Sequence, residues 1–148
     1  MKSRILSLIL VFILVFSMTA FADETAAAPA KTIAIIHTND VHSRALEDSS
    51  GIGYAKVAAL ASDILSQSGT EPILVDAGDA LHGQTIATLE RGESIIKIMN
   101  TVGYDVMTPG NHDFNYGQDR LLELVGKAEF KIISANITKP DGAALLEG

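Results

Sequence analysis

Apolar residues along the chain fall into short continuous runs that alternate with longer stretches of helical spacing. The first short run, "TIAIIHT" (Thr32–Thr38), is rich in β-branched residues, as strands are. Three later runs, "PILVDAGD", "YDVMTPG" and "KIISANI", have the same character. Because the runs are apolar at consecutive positions rather than at alternate ones, they predict strands that are buried on both faces of a sheet.

Between these runs lie three segments in which apolar residues recur with the period of an α-helix. The first is "GYAKVAALASDILSQSG", which we expect to end near Gly69. Its apolar face comprises Tyr54, Val57, Ala58, Ala61, Ile64 and Leu65. The other two are "GESIIKIMNTVG" and "GQDRLLELVGKAEF", and the latter shares one face among Leu121, Leu124, Val125 and Ala128. The order β-α-β-α-β-α-β predicts an α/β fold with largely parallel strands.

The first 31 residues follow a different pattern. Two basic residues precede the apolar stretch Ile5–Phe16, and Ala20-Phe21-Ala22 offers a small-x-small cleavage site, which is typical of a secretory signal peptide over residues 1–22. The apolar stretch is shorter than the ~20 residues of a transmembrane helix, so a cleaved signal is favoured over an anchor. Export to the periplasm, the cell surface or the medium is therefore expected. Residues 23–31 are predicted to be a flexible leader.

Composition limits the partners. The chain has 18 acidic residues against 11 lysines and arginines, a formal net charge of −7, which argues against nucleic acid as a main partner. A small phosphate ligand remains compatible with this charge if cations lie in the site. There is no cysteine, which excludes disulfides and thiolate metal sites. No glycine-rich phosphate-binding string is present either, which counts against a nucleotide-binding domain that works without metals.

Residues of the kind that bind metals follow three successive predicted strands. "HTNDVHS" places Asp40 and His42 after the first strand, "DAGDALHG" places Asp79 after the second, and "PGNHD" places Asn111 and His112 after the third. Ligands of open parallel sheets bind at the carboxyl ends of the strands, so these side chains should converge. Carboxylate, imidazole and amide groups together suit several divalent cations. The pattern therefore predicts a metal site at this edge of the sheet.

The strings "NDVH", "GD" and "GNHD", in this order and each after a strand, resemble the calcineurin-like metallophosphoesterases. The longer strings "IIHTNDVHS", "VDAGDALHG" and "TPGNHDFNYG" are similar to the secreted 5′-nucleotidase branch, which includes UDP-sugar hydrolases and 2′,3′-cyclic-nucleotide phosphodiesterases. The resemblance covers Thr32 to Ile137. It implies a β-sandwich flanked by helices, of which residues 32–148 would form the N-terminal part. It also implies hydrolysis of nucleotide phosphate esters with two divalent ions, which could be Zn, Mn, Fe, Co or Mg.

The resemblance also implies a role for each candidate residue. Asp40 and His42 match ligands of the first metal, Asp79 matches a carboxylate that bridges both metals, and Asn111 matches a ligand of the second. His112 matches the catalytic histidine. Taken one at a time, these residues have ordinary explanations, since Asp40 could be a cap and Asp79 a turn residue. Their coincidence at three strand ends favours the metal site.

Three further residues lie near these motifs. His37, within the first strand, is expected to be a packed histidine or one that contacts the metal ligands. Asn115 stands where many 5′-nucleotidases carry an aspartate that orients the catalytic histidine, and an amide can hold the ring but cannot stabilise its protonated form as a carboxylate would. His82 is expected to be a surface loop residue.

Two functions remain open from the sequence. The family completes its metal shell with downstream histidines, whereas this sequence has none after His112, so we expect a fragment that carries roughly half of that shell. The first function is a two-metal hydrolase whose partner is a small-molecule nucleotide, with little activity in the fragment alone. The alternative is an exported, catalytically silent binding module on the same scaffold. No stable membrane partner is expected after signal removal, and the oligomeric state is left open.

Cleavage after Ala22 should give a mature N-terminus at Asp23, because the small-x-small motif ends there. N-terminal sequencing of the protein exported by a bacterial host measures this directly. An intact Met1 on a membrane-bound product would contradict the prediction.

Overall fold

The computed structural model describes residues 32–67 and 69–146, so the predicted signal peptide (1–22) and leader (23–31) lie outside the described residues. The elements in chain order are β1 (Thr32–Thr38), α1 (Gly53–Leu65), β2 (Thr70–Asp76), α2 (Thr85–Leu89), α3 (Glu93–Val102), β3 (Val106–Met107), a 3-10 helix (Asn111–Phe114), α4 (Gln118–Val125) and β4 (Lys131–Ile132). The predicted alternation of strands and helices is confirmed. The short helix α2 and the 3-10 helix were not predicted. No helix in these ranges has both the length and the hydropathy that crossing a bilayer requires.

All four strands are parallel and lie in the sheet in their sequence order, β1-β2-β3-β4. The register pairs Ile35 with Ile73, and Val75 with Val106. Every crossover therefore steps in the same direction across the sheet. Because crossovers between parallel strands are right-handed, this order places the connecting helices on one face of the sheet.

The hydrophobic core lies between this face and the helices. Its members from the sheet are Leu74, Met107 and Ile132, and its members from α3 and α4 are Ile95, Ile96, Met99, Leu121 and Leu124. Of the apolar face predicted for the third helix, Leu121 and Leu124 are buried, whereas Val125 and Ala128 are only partly buried. Helix α3 is bounded by two glycines with left-handed backbone, Gly92 (φ 89°) and Gly103 (φ 85°), which is why a glycine stands at each end of its sequence.

The opposite face of the sheet is open in the described part of the chain. On β1, Ile33 is 64% exposed and Ile35 is 69% exposed, and Ile73 on β2 is exposed beside them. The expectation that both faces of these strands are buried is therefore wrong for residues 32–67 and 69–146. The physical reason is the topology, since sequential right-handed crossovers place helices on one side only.

Several boundaries also differ from the predicted ones. Helix α1 ends at Leu65 rather than near Gly69, and Leu65 is exposed instead of lying on the buried face. The second strand ends at Asp76, three residues before the predicted end at Asp79, because Gly78 and Asp79 adopt left-handed backbone. These differences shorten the elements and lengthen the loops that follow the strands.

The core predicts a sharp difference between two adjacent leucines of α4. Leu121 is fully buried, so Leu121→Ala should lower the free energy of unfolding by about 2–5 kcal/mol. Leu122 is 37% exposed, and Leu122→Ala in the same helix should lower it by less than about 1 kcal/mol. Urea unfolding of both variants measures the difference, and equal losses would contradict this placement of the helix.

Candidate metal centre

Three loops follow the carboxyl ends of the first three strands: loop 1 (residues 39–45), loop 2 (77–84) and loop 3 (108–117). Loops 1 and 2 continue the pairing of their strands, since the Asp40 amide donates to the Gly78 carbonyl (3.0 Å) and the His42 amide donates to the Asp79 carbonyl (2.9 Å). The buried Ser43 hydroxyl donates to the Ala80 carbonyl at 3.0 Å. These hydrogen bonds hold loops 1 and 2 together as an extension of the sheet.

Several non-glycine residues of these loops have left-handed backbone. Their φ angles are positive at Asp40 (54°), His42 (47°), Ser43 (60°) and Asp79 (59°). Such a conformation costs about 1–2 kcal/mol per residue and persists where the surrounding contacts fix it. Here the backbone hydrogen bonds between loops 1 and 2 provide those contacts. Asp40, His42 and Asp79, three of the predicted ligands, are thus held in a conformation that an isolated chain would avoid.

Glycines allow the loops to approach closely. A Cβ atom on Gly110 would stand 2.3 Å from the Asp79 Oδ1 atom, and one on Gly78 would stand 2.5 Å from the Gly110 nitrogen. Loop 2 approaches loop 1 in the same way, since a Cβ atom on Gly83 would stand 2.3 Å from the His42 carbonyl oxygen. Loop 2 is therefore packed against both of its neighbours at distances that only glycine permits.

A buried carboxylate, Asp113, joins loops 2 and 3. Its Oδ2 atom accepts hydrogen bonds from the amides of Asp79 and Gly110, and its Oδ1 atom accepts one from the Leu81 amide, all at 2.8 Å. Burial raises the pKa of this carboxyl group, and the three N–H donors act in the opposite direction. The side chain therefore fixes the backbone on both sides of Asp79 and at the start of the 3-10 helix.

Three of the candidate side chains converge. His42, Asp79 and His112 each offer a ligand atom, and these atoms all lie within 4.8 Å of one another. The Asp40 Oδ1 atom lies 3.7 Å from the His42 Nε2 atom, which places a second carboxylate at the same position. The Asp79 carboxylate also accepts the His112 backbone amide at 2.7 Å. One imidazole and two carboxylates at this spacing form a donor set that fits a divalent cation, and the His112 imidazole lies beside them.

The other predicted residues lie around this cluster. Asn111 begins the 3-10 helix beside His112 and is exposed, as is Asp40, so both lie at the rim of the site. His37 is exposed on the open face of β1 together with Ile33 and Ile35. The expectation that His37 is a packed side chain is therefore wrong, because its position in the strand alternation points away from the core.

Asn115 contacts the imidazole of His112, and the same amide also contacts His82, for which the sequence predicts a surface loop position and no role in the site. The Asn115 Nδ2 atom lies 2.9 Å from His112 Nδ1 and 3.0 Å from His82 Nδ1. The two rings are stacked, with centroids 6.1 Å apart and planes inclined by 11°. The sequence predicts a surface loop position for His82, and the structure adds its contacts with Asn115 and His112. Its place in the same short loop as Asp79 was the only sequence signal for its position.

A polar relay lies beneath the loops at the end of β2. Thr38 donates its hydroxyl hydrogen to the Asp76 carboxylate, and Tyr104, whose hydroxyl lies 2.9 Å from the Thr38 hydroxyl, therefore acts as the donor to Thr38. The Gly78 amide donates to the same carboxylate at 2.9 Å. Burial raises the pKa of Asp76 to about 6. Through the Gly78 amide, the Asp76 carboxylate holds the start of loop 2, and it is not one of the clustered candidate ligands.

Comparison with known proteins shows which family the chain resembles. Residues 33–139 match the calcineurin-like phosphoesterase family. The chain is 39% identical over 127 residues to a snake venom 5′-nucleotidase from Gloydius brevicauda, which covers 79% of this chain and 21% of the relative. It is 31% identical over 139 residues to a 2′,3′-cyclic-nucleotide 2′-phosphodiesterase/3′-nucleotidase from Yersinia enterocolitica, which covers 84% of this chain and 21% of that protein.

A solved structure shows the same fold. The calcineurin-like phosphoesterase YfkN from Bacillus subtilis superposes with a TM-score of 0.65 at 28% identity, over 76% of this chain and 39% of that one. The chain spans about a fifth of the length of the curated relatives it matches. The similarity therefore concerns the part of those proteins that contains the three loops.

The hydrogen bonds of Asp113 predict that Asp113→Ala lowers the stability of the protein and the protection of the loop amides that it binds. The substitution leaves two buried amides and the partly buried Gly110 amide without their acceptor, and each buried donor costs about 1–3 kcal/mol, so the free energy of unfolding should fall by at least ~2 kcal/mol. Hydrogen exchange should accelerate at the amides of Asp79, Leu81 and Gly110. Asp119→Ala, on the exposed first turn of α4, is the matched control and should change neither measurement by much. Unchanged exchange at these amides in Asp113→Ala would contradict the role.

Proposed function

The chain belongs to the calcineurin-like phosphoesterase family, and from that premise we propose that the intact protein is an exported, metal-dependent hydrolase of nucleotide phosphate esters. The observation that carries the proposal is the convergence of His42, Asp79 and His112 at the ends of three parallel strands, with Asp40 beside them. The relatives described above are named for nucleotidase or phosphodiesterase activity, which supports a nucleotide substrate and catalysis over silent binding.

We assign the metal ligands by position in the loops. Asp40 and His42 on loop 1 would hold one divalent cation, Asp79 on loop 2 would bridge two, and Asn111 on loop 3 would offer its amide oxygen to the second. When bound, such cations polarise the phosphoryl oxygens and lower the pKa of water, which promotes in-line attack on phosphorus. Mixed oxygen and nitrogen ligands accept Zn, Mn, Fe, Co or Mg, so the residues alone do not select the ion.

The charge of the site supports a requirement for metal. Asp40 and Asp79 place two carboxylates where the substrate phosphate would bind, and the buried Asp76 and Asp113 lie beneath the same loops. These groups repel a phosphate ester at neutral pH. Divalent cations would reverse the sign of this local field, and the phosphate could then enter.

His112 is placed to act on the substrate. Its backbone amide is held by the Asp79 carboxylate and its Nδ1 atom is held by Asn115. When the Asn115 amide donates to Nδ1, the ring hydrogen lies on Nε2. We propose that this Nε2–H group donates a hydrogen bond or a proton to the phosphoryl or leaving oxygen. Because the Asn115 amide donates to Nδ1, the free hydrogen of the His112 ring faces away from Asn115, and hydrogen bonding from Nε2–H to developing negative charge is the form of assistance that this pair favours.

These assignments separate metal binding from catalysis. In the intact protein, Asp79→Ala should weaken Mn²⁺ or Zn²⁺ binding at least ~10-fold in a calorimetric titration, because both proposed ions lose a ligand. His112→Ala should largely keep the metal affinity and lower turnover of AMP or bis(4-nitrophenyl) phosphate by about 10²–10⁴-fold. Asp63→Ala, an exposed aspartate on α1, is the control and should change neither property.

Two outcomes would overturn parts of this scheme. If His112→Ala weakens metal binding as much as Asp79→Ala does, then His112 is a ligand and not the proton donor. If the metal-loaded intact protein hydrolyses none of 5′-nucleotides, UDP-sugars and cyclic nucleotides, then the proposed function is wrong.

A further inference from the structure

The pair of imidazoles that share the Asn115 amide is not explained by the proposed function, which uses only one of them. His82 and His112 come from loops 2 and 3, and both Nδ1 atoms lie within 3.0 Å of the same nitrogen. Within residues 32–67 and 69–146, Asn115 is the only hydrogen-bond partner of the His82 side chain. The His82 ring is partly exposed, and its plane lies nearly parallel to that of the His112 ring.

The amide imposes the same tautomer on both rings. An Asn side-chain nitrogen carries two hydrogens and has no acceptor capacity, so it can donate one hydrogen to each Nδ1 atom. A neutral imidazole that accepts at Nδ1 carries its own hydrogen on Nε2. His82 and His112 would therefore present two Nε2–H donors, each on the side of its ring away from Asn115.

The spacing of the two donors suits one phosphate ester. The ring planes differ by 11° and the centroids are 6.1 Å apart. An N–H···O hydrogen bond spans about 2.9 Å, so two Nε2–H donors on rings spaced in this way could reach two oxygens of a single phosphoryl group. A carboxylate in place of Asn115 would instead accept hydrogens and turn both Nδ1 atoms into donors.

His82 is also fixed from several directions. The preceding Leu81 amide is bound to Asp113, and the following Gly83 lies against the His42 carbonyl with no room for a side chain. The ring of Tyr116 lies beside it at 5.2 Å between centroids. The backbone is thus held on both sides of His82, and its ring contacts Asn115, His112 and Tyr116. A side chain positioned in this way, whose Nε2 atom has no partner among the described residues, is suited to binding a ligand there.

We propose that His82 is a second substrate-contacting residue, and that Asn115 orients His82 and His112 together so that both donate from Nε2 to oxygens of the same phosphate ester. This inference rests on the proposed function for the identity of the ligand. The assignment of tautomers does not depend on it, because it follows from the contacts of Asn115 alone.

The shared amide is tested without any activity measurement. Long-range ¹H–¹⁵N spectra of the metal-free intact protein with ¹⁵N-labelled histidine, at about pH 8 where imidazoles are mostly neutral, should show Nε2–H tautomers for His82 and His112. In Asn115→Asp the hydrogens of both rings should move to Nδ1. A change at His112 with no change at His82 would overturn the shared role of Asn115.

The substrate contact is tested on the Zn²⁺-loaded intact protein. Inorganic phosphate should shift the His82 Nε2 signal, and His82→Leu should lower kcat/KM for AMP or bis(4-nitrophenyl) phosphate by about 10–100-fold with unchanged Zn²⁺ affinity. His82→Gln, which keeps an N–H donor, should recover part of the loss. Gln84→Ala, at an exposed position of the same loop, should match the wild type. Thermal unfolding of each variant separates loss of contact from loss of fold.

The outcomes distinguish this inference from the proposed function. An active wild type with an equally active His82→Leu variant would overturn the contact and leave the function standing. An inactive wild type whose His82 signal still responds to phosphate would overturn the function and leave the contact standing. No response to phosphate together with no activity would overturn both.

Discussion

Three hydrogen bonds to one buried carboxylate hold the site together. Asp113 binds the amides of Asp79, Leu81 and Gly110, and so connects loops that are far apart in sequence. Its burial is unfavourable for a charge, and the three N–H donors offset that cost only because the loops lie close enough to supply them. The position of Asp79, and through its carboxylate the position of His112, depends on the same interaction. The left-handed backbone of loop 2 persists because this framework holds it.

The arrangement of the sheet explains why the loops meet at all. Sequential right-handed crossovers bring every strand to the same edge with its carboxyl end, and the polar loops follow there. The same topology leaves Ile33, Ile35 and Ile73 on the open face of the described sheet. The carboxyl edge of the sheet is therefore covered by the three hydrogen-bonded loops, whereas the sheet face with these isoleucines is exposed. The two features have one origin, because both follow from crossovers that all step in one direction.

Much of this could be predicted from the sequence, and the failures have physical causes. Hydrophobic runs located the strands, helical spacing located three of the four α-helices, and ligand-type residues after strands located the loops that converge. The open face of β1 could not be foreseen, because two of its outward positions are the isoleucines Ile33 and Ile35, and His37 alone does not make a polar alternation. The place of His82 was missed because it depends on a contact with Asn115 across 33 residues, and nothing in the local period of loop 2 encodes the direction of a side chain.

The close approach of Gly110 to Asp79 has a consequence for how this sequence can vary. A methyl group at position 110 would occupy the space of the Asp79 Oδ1 atom. The same methyl group would stand 2.8 Å from the Asp79 amide nitrogen, so shortening the residue at 79 would not by itself make room for it. Shortening that residue would also remove the carboxylate and its hydrogen bond with the His112 amide. Position 110 is therefore restricted to glycine by the backbone of loop 2 as well as by the Asp79 side chain, and no exchange at position 79 would release that restriction.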